Sequence, residues 1–213
     1  MSDLLYKELR LAAHPSLYIF MFMGALVLIP AYPYGVVFFF GCLGLFQTLM
    51  FGRETKDVFY TALLPRPKGD VVKGKILLAA FLQTGQLVLS LPFAFLRTLY
   101  LPDGNPVGME PNAAWYGCGL LIYGVFNLVF FTQFYKTAYK AGVAFIIALI
   151  PTTLGIAAIE TAVHIPGLAW LDGTDGASLL RQVPILLAGA VLYAASNVLT
   201  YRISVKRFQR VDL

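Results

Sequence analysis

Six long apolar runs dominate the sequence, and each is close to the ~20 residues that an α helix needs to cross a bilayer. The runs lie at about residues 14–33, 34–51, 76–96, 113–134, 141–163 and 183–201. They are continuous rather than alternating, which favours helices over barrel strands, because hydrocarbon offers no partner for an unpaired backbone group. With 59% hydrophobic and 13% charged residues, the chain is unsuited to water as its main solvent. We predict an all-α polytopic membrane protein in which residues 1–213 form one transmembrane domain.

The basic residues between the runs predict an orientation, because cytosolic loops retain Lys and Arg whereas translocated loops lose them. All of them except Arg97 and Arg181 fall on one side: Lys7, Arg10, Arg53, Lys56, Arg66, Lys68, Lys73, Lys75, Lys136, Lys140, Arg202, Lys206, Arg207 and Arg210. Both termini are therefore predicted to be cytosolic. These residues sit in short stretches next to the membrane, which suits anionic lipid headgroups rather than nucleic acid.

The segment 52–75 is the longest connection on this predicted cytosolic side. A helix from Arg53 to Leu64 would place Phe59, Ala62 and Leu63 on one face and Arg53, Glu54, Asp57 and Thr61 on the other. Pro65 and Pro67 would end it, and a second short amphipathic stretch would follow over Asp70–Gly74. Two interpretations remain open from the pattern alone: a surface helix that anchors the loop to the membrane, or a docking element for a partner.

The same segment contains a G-x-x-x-x-G-K match from Gly69 to Lys75. In a phosphate-binding loop this pattern follows a strand and is completed by a Ser or Thr that holds magnesium. Here the next residue is Ile76, and the chain then enters an apolar run. We therefore predict that this chain binds no nucleotide, and its residues show no metal-ligand spacing.

A resemblance to the type-2 ABC transporter permeases, in particular their compact bacterial subgroup, rests on this loop and on the N-terminus. Residues 1–13 predict an interfacial helix with Leu4, Leu5, Leu9 and Ala12 on one side, ahead of a two-span hairpin. Lys56-Asp57, Leu63-Leu64-Pro65 and the run from Asp70 to Lys75 are similar to that subgroup's loop between its second and third spans.

The resemblance implies that the loop 52–75 forms a coupling helix that docks onto a separate ATP-binding subunit. Glu54 and Asp57 would pair with basic residues of that subunit, and Phe59, Tyr60 and Leu64 would pack on it or on the membrane. The implied partner-binding set is Glu54, Asp57, Phe59, Tyr60, Leu64 and Arg66. ATP and magnesium would be bound by the partner, so this chain would not itself be an enzyme, and it would reside in the plasma membrane of a bacterium.

Polar residues inside the apolar runs are the remaining candidates. Glu160 lies in the fifth run with His164 one turn further, and we expect an interfacial pair rather than a proton relay. Nine polar residues could line a pathway, but most of them are expected to hydrogen-bond between helices: Gln47, Thr48, Gln83, Gln86, Asn127, Gln133, Thr152, Thr153 and Asn197. The candidate pathway or interfacial polar residues are Gln47, Thr48, Thr152, Thr153 and Glu160. The outer segment 164–182 is predicted to be re-entrant or surface-lying.

The resemblance implies that this chain is the membrane-spanning subunit of an ABC exporter, paired with a second copy or a paralogue and driven by two ATPase subunits. A largely apolar pathway would suit an amphipathic peptide, a lipid or a drug-like cargo. One alternative is a stand-alone secondary transporter or channel, which should show inverted repeats, broken helices or central charges. The other is an intramembrane enzyme, for which the sequence shows no HExxH, paired-glutamate or Ser/His arrangement.

Overall fold

A computed structural model describes residues 2–63, 67–100 and 104–211, and within these ranges the chain is helical with no strand. The α helices are α1 Ser2–Lys7, α2 Ser16–Phe22, α3 Val36–Glu54, α4 Asp57–Leu63, α5 Lys68–Tyr100, α6 Ala113–Phe134, α7 Ala141–Ala162 and α8 Gly176–Phe208. A π-helical segment, Glu8–Ala12, extends α1, and a 3-10 segment, Met23–Leu28, extends α2. The predicted all-α class is therefore confirmed.

Five of these helices, α3, α5, α6, α7 and α8, are long and apolar enough to cross a membrane. The first predicted span differs, because Leu4–Ala12 and Ser16–Leu28 form a pair bent by 102°. Ser16–Leu28 is about 22 Å long, which is shorter than the ~30 Å hydrocarbon core. The prediction of six spans thus becomes five, with the bent pair as a sixth candidate.

Helices α5 and α8 extend beyond the predicted spans at both ends, with 33 residues each. At about 50 Å each is longer than the ~30 Å hydrocarbon core, so each is long enough to extend beyond it. The predicted separate stretch Asp70–Gly74 is therefore the first part of α5. A hydropathy profile places the end of a span at its first charged residues, but the helical backbone can continue past them.

Helix α6 lies at the centre of the bundle, and its aromatic residues are buried except for Tyr116, which is half-buried. Along α8 it packs closely at Gly117 and Gly189, where a methyl group added to Gly189 would collide with the Gly117 carbonyl oxygen. Small residues of this kind allow the backbones of membrane helices to touch. Helices α7 and α8 expose apolar side chains, as expected of helices that face lipid.

The alternating helix directions bring one set of ends together, which we call the basic end. The C-terminal ends of α3, α6 and α8 lie there with the N-terminal ends of α5 and α7. Lys68 lies 5.5 Å from the ring centroid of Phe208, and Tyr135 packs on Phe208 with the two ring centroids 5.2 Å apart. Lys and Arg residues concentrate at this end, while Arg97 and Arg181 lie at the other.

One ion pair and several side-chain hydrogen bonds hold the described chain together at the opposite end. Arg97 makes a bidentate pair with Glu110, with both nitrogen–oxygen distances at 2.8 Å. Glu160 accepts hydrogen bonds from the backbone N–H groups of Gly35 and Met109. The predicted Glu160–His164 pair does not form, because the loops deliver backbone donors to Glu160 and His164 instead contacts a carbonyl oxygen.

The segment 164–182, predicted to be an outer re-entrant or surface-lying segment, contains little irregular chain. It contains one 3-10 turn, Pro166–Leu171, and α8 begins soon afterwards at Gly176. Asn112 at the start of α6 donates from its side chain to the carbonyl oxygen of Leu171 at 2.7 Å. Gln182 of α8 donates to carbonyl oxygens of the same segment. These contacts hold the segment against the ends of two helices.

Candidate functional site

Helix α4 occupies the loop between α3 and α5 at the basic end. The predicted continuous helix from Arg53 is interrupted: α3 ends at Glu54, and Lys56 adopts a left-handed conformation with φ +54° before α4 begins at Asp57. A non-glycine residue in this conformation makes a sharp turn that costs backbone energy. Helix α4 is therefore a separate short element whose position depends on its contacts.

Those contacts are a buried cluster of two ammonium and two carboxylate groups. Lys75 Nζ lies 2.7 Å from Glu8 Oε2 and 2.5 Å from Asp57 Oδ2. Lys7 Nζ lies 2.7 Å from Asp57 Oδ1, 3.0 Å from Glu8 Oε1 and 2.9 Å from Thr61 Oγ1. The ion cluster, as we call Lys7, Glu8, Asp57 and Lys75, joins the N-terminal helix, α4 and the base of α5.

Burial makes this cluster important for structure. The side chains of Lys75, Glu8 and Asp57 are 1%, 2% and 13% exposed. Buried charges are tolerable when each is paired and hydrogen-bonded, and removal of one partner leaves an uncompensated charge. Burial by itself raises the pKa of Asp57, but the charge of Lys75 and the hydrogen bonds from Lys7 and Lys75 outweigh it, so the pKa lies below its usual value.

The inward face of α4 corrects the predicted orientation of the helix. Asp57 and Thr61 were expected on a polar face turned toward a partner, but both side chains point into the body of the subunit. The separation of Phe59 and Leu63 from Asp57 and Thr61 was right, but the face predicted to meet a partner is the covered one. The reason is Lys7 and Lys75, which attract Asp57 from elements distant in sequence. Arg53 and Glu54, predicted on the same face as Asp57, instead lie at the end of α3 and are exposed.

The outward face of α4 is apolar and aromatic. Phe59, Tyr60 and Leu63 are 39%, 62% and 67% exposed, and we call them the α4 ridge. Around it, Arg53, Glu54 and Lys56 are also exposed. Of the predicted partner-binding set, Glu54, Phe59 and Tyr60 are thus accessible, whereas Asp57 is not. Leu64 and Arg66 lie outside the described residues.

A small cavity of about 120 Å³ lies between α4 and the turn that joins α6 to α7. Its walls include Arg53, Lys56, Phe59 and Tyr139. The aromatic rings beside Arg53 and Lys56 would fit a partner protein that presents both an apolar side chain and a carboxylate. The α4 ridge and this cavity therefore form one continuous surface at the basic end.

The Gly69–Lys75 match lies within the first two turns of α5. Its backbone is helical, and a methyl group added to Gly74 would come within 3.1 Å of Glu8 Oε1. A phosphate-binding loop instead wraps its backbone N–H groups around the anion. The lysine of the match is in the ion cluster, so the spacing that resembles a nucleotide site here positions Lys75 beside Glu8 and Asp57.

Sequence reasoning missed Lys7, Glu8 and Lys75 as members of the site. One signal was available: Glu8 follows Leu4 and Leu5 and precedes Ala12 on the predicted apolar side of the N-terminal helix. A carboxylate on an apolar face needs a cationic partner. The identity of that partner depends on the tertiary fold, because Lys75 is 67 residues away.

The five predicted pathway or interfacial polar residues do not gather at one place: they are Gln47, Thr48, Thr152, Thr153 and Glu160. Thr48 is buried in α3, Gln47 is half-buried beside it, and Thr153 is exposed on α7. Thr152 donates to the carbonyl oxygen of Ala148 in its own helix, and Glu160 accepts from the backbone N–H groups of Gly35 and Met109 at the end opposite the basic end. In the described part of the chain, these five side chains share no hydrogen bond with one another.

Of the nine polar residues, most of which were expected to bond between helices, four do so within the described residues: Gln83, Gln86, Asn127 and Asn197. Gln83 of α5 and Asn127 of α6 exchange two bonds of 2.8 Å, and Asn127 also donates to Asn197 of α8 at 3.0 Å. Gln86, one turn further along α5, donates to the carbonyl oxygens of Phe20 and Val37. These polar side chains connect the helices at the middle of the bundle.

Comparisons with known proteins agree with this architecture. The chain matches none of the curated proteins and none of the solved structures with which it was compared. A family model described as "ABC-2 family transporter protein" matches residues 3–209, which is nearly the whole chain. A match of this extent includes every membrane helix and the loop that carries α4. The chain therefore belongs to the ABC-2 family of transporter proteins and is a type-2 ABC transporter permease.

Proposed function

We propose that this permease is the membrane-spanning subunit of an ABC exporter and that the α4 ridge docks onto a separate ATPase subunit. The observation that carries the proposal is the pairing of an exposed aromatic ridge with a buried ion cluster on the same short helix. The α4 ridge is exposed and apolar, and the inner face of α4 is held in place by the ion cluster. Such a surface is suited to binding a partner protein. Family membership favours this function over a stand-alone transporter, a channel or an intramembrane enzyme.

The proposed orientation places the basic end, and with it both termini, in the cytosol of a bacterial cell. The excess of Lys and Arg at this end supports it through the positive-inside rule. The ATPase, with its ATP and magnesium, would approach from the cytosol and meet α4. A second permease copy or a paralogue would complete the assembly, since symmetric pairing is the usual arrangement.

The ion cluster gives a route for mechanical coupling. Asp57 of α4 binds Lys75, which lies two turns into the 33-residue α5. A displacement of α4 by the ATPase would therefore act on a helix that crosses the bilayer, and through Glu8 on the N-terminal helix. Buried, paired charges favour this transmission because they resist separation. An amphipathic peptide, lipid or drug-like molecule would be the cargo.

Co-purification tests the proposal. Tagged permease is isolated from membranes, and the ABC ATPase retained with it is measured by mass spectrometry and ATP hydrolysis. Tyr60→Ala combined with Leu63→Ala should reduce the retained ATPase by at least tenfold, since central aromatic anchors each contribute about 2 kcal/mol or more. Tyr100→Ala, which truncates an exposed tyrosine at the opposite end, is the matched control. Equal ATPase recovery from the double variant and the control would refute docking through α4.

A further inference from the structure

Helices α5 and α8 meet at mid-depth through a polar contact and leave a groove on either side of it. At the contact, the Tyr193 hydroxyl donates to Gln83 Oε1 at 2.8 Å. On the basic side lies the Lys73 groove, of about 260 Å³, lined by Lys73, Ile76, Leu77, Asn197, Val198 and Tyr201. On the other side lies the Val88 groove, of about 320 Å³, whose walls include Leu87, Val88, Leu91, Leu120 and Leu186.

Both grooves open sideways from spanning helices, so hydrocarbon chains rather than water are available to fill them. Val198 in the Lys73 groove and Val88 in the other are 54% and 62% exposed. The two grooves differ in charge: a cation lines the first, whereas the walls of the second contain none. A molecule that fits the Lys73 groove better than the Val88 groove should therefore combine an apolar chain with an anionic group.

The basic mouth of the Lys73 groove has hydrogen-bond donors that lack acceptors. No carboxylate of residues 2–63, 67–100 or 104–211 forms an ion pair with Lys73, and the Tyr201 hydroxyl makes no hydrogen bond there. Arg202 and Lys206 follow Val198 on α8 by one and two helical turns and are exposed. Tyrosine and lysine side chains of this kind sit at the level of lipid headgroups in membrane proteins.

We propose that the Lys73 groove binds one anionic phospholipid from the leaflet at the basic end. An acyl chain lies along Ile76, Leu77 and Val198, and the phosphate accepts hydrogen bonds from Lys73 and Tyr201. The polar contact at Gln83 and Tyr193 ends the groove and limits the depth of the chain. This site does not depend on docking of an ATPase, because none of its residues belongs to α4 or the ion cluster.

Photocrosslinking in vesicles tests the site. The permease is reconstituted with a trace of phosphatidylglycerol that carries a diazirine in one acyl chain, or with the matching phosphatidylcholine, and crosslinked peptides are mapped. Crosslinks at residues 73–77 and 197–201 should favour phosphatidylglycerol by about fivefold, the effect of about one lysine at a lipid surface. Soluble glycerol phosphate should not compete, because it lacks the chain that the groove holds.

Variants separate the contribution of the Lys73 charge from that of the shape of the groove. Lys73→Gln should reduce the ratio of phosphatidylglycerol to phosphatidylcholine crosslinking to near one. Lys136→Gln, which removes an exposed lysine at the same end, should leave this ratio unchanged. Val198→Trp should reduce crosslinking of both lipids at this groove, and Val88→Trp should not. Equal labelling by the two lipids, or an unchanged ratio in Lys73→Gln, would overturn the proposal.

The alternative occupant of the Lys73 groove is a second copy of this chain. A cysteine variant distinguishes a second copy from a lipid. If two copies meet at this face, Val198→Cys should form a disulfide-linked dimer in membranes beyond that of the parent chain with Cys42 and Cys118. That result would overturn the lipid assignment. Under the proposal, Val198→Cys stays monomeric in this assay.

Discussion

Lys75 carries a positive charge at a position that is 1% exposed, and the carboxylates of Glu8 and Asp57 make this burial tolerable. Each of the three comes from a different element. The cluster therefore specifies how the N-terminal helix and α4 sit against α5. Reversal of Asp57 to lysine, which would be harmless on an exposed helix, would here place a third ammonium group in a buried cluster.

Lys75→Met should be strongly destabilising. It leaves Glu8 and Asp57 with Lys7 alone, and breaking a buried pair costs about 3–5 kcal/mol. We expect a clear fall in the melting temperature of the detergent-purified permease. Lys136→Met, at an exposed position, should change stability by less than about 0.5 kcal/mol.

A double variant separates the effect of an unpaired buried charge from the effect of altered packing around position 75. Lys75→Met with Glu8→Gln removes one charge of each sign, so part of the lost stability should return. If Lys75→Met is no more destabilising than Lys136→Met, the ion cluster does not hold these elements together.

At the scale of elements, α4 shows what helical periodicity in the sequence can predict and what it cannot. The spacing correctly separated Phe59 and Leu63 from Asp57 and Thr61, because residues three and four apart share a helix face. It could not say which face is covered, since that depends on Lys7 and Lys75. The short first span is similar: apolarity over 14–33 predicts burial in lipid, but not the 102° bend or the 3-10 segment.

The α6–α8 contact yields a second prediction. A methyl group at Gly189 would collide with the Gly117 backbone, so Gly189→Ala should cost about 1–3 kcal/mol. Gly142→Ala in α7 is the matched control, because nothing lies within 4 Å of the added methyl group. That control should be neutral or stabilising by up to about 1 kcal/mol. Thermal unfolding of both variants in detergent measures the difference; equal melting temperatures would exclude close α6–α8 packing.

At the scale of the whole molecule, the sequence predicted the all-α class, six spans of which five are long helices in the structure, and the end of the bundle at which the basic residues collect. These follow from hydropathy and charge along the chain, which are local properties. The pairing of Lys75 with Glu8 and of Arg97 with Glu110 could not be predicted, because such pairs depend on which helix ends become neighbours. The separation of Thr48 and Thr152, which are buried in different helices, from the exposed Thr153 has the same cause.

The orientation is tested with single cysteines. Gly167→Cys lies exposed at the opposite end with nothing within 4 Å, and Lys136→Cys lies exposed at the basic end. In intact cells, a membrane-impermeant maleimide should label Gly167→Cys and should reach Lys136→Cys only after lysis. The parent chain with its buried Cys42 and half-buried Cys118 gives the background. Labelling with the reverse pattern would invert the proposed topology.

Docking of the α4 ridge onto an ATPase is the central claim, and site-specific photocrosslinking tests it most directly. Benzoylphenylalanine replaces Tyr60 in one variant and Tyr100 in the other; both side chains are exposed, but they lie at opposite ends of the bundle. After irradiation of membranes, the Tyr60 variant should give an adduct of this 23.4 kDa chain with an ABC ATPase, and the Tyr100 variant should give none. An absence of ATPase adducts at position 60, when the ATPase is present and active in the same membranes, would contradict the account.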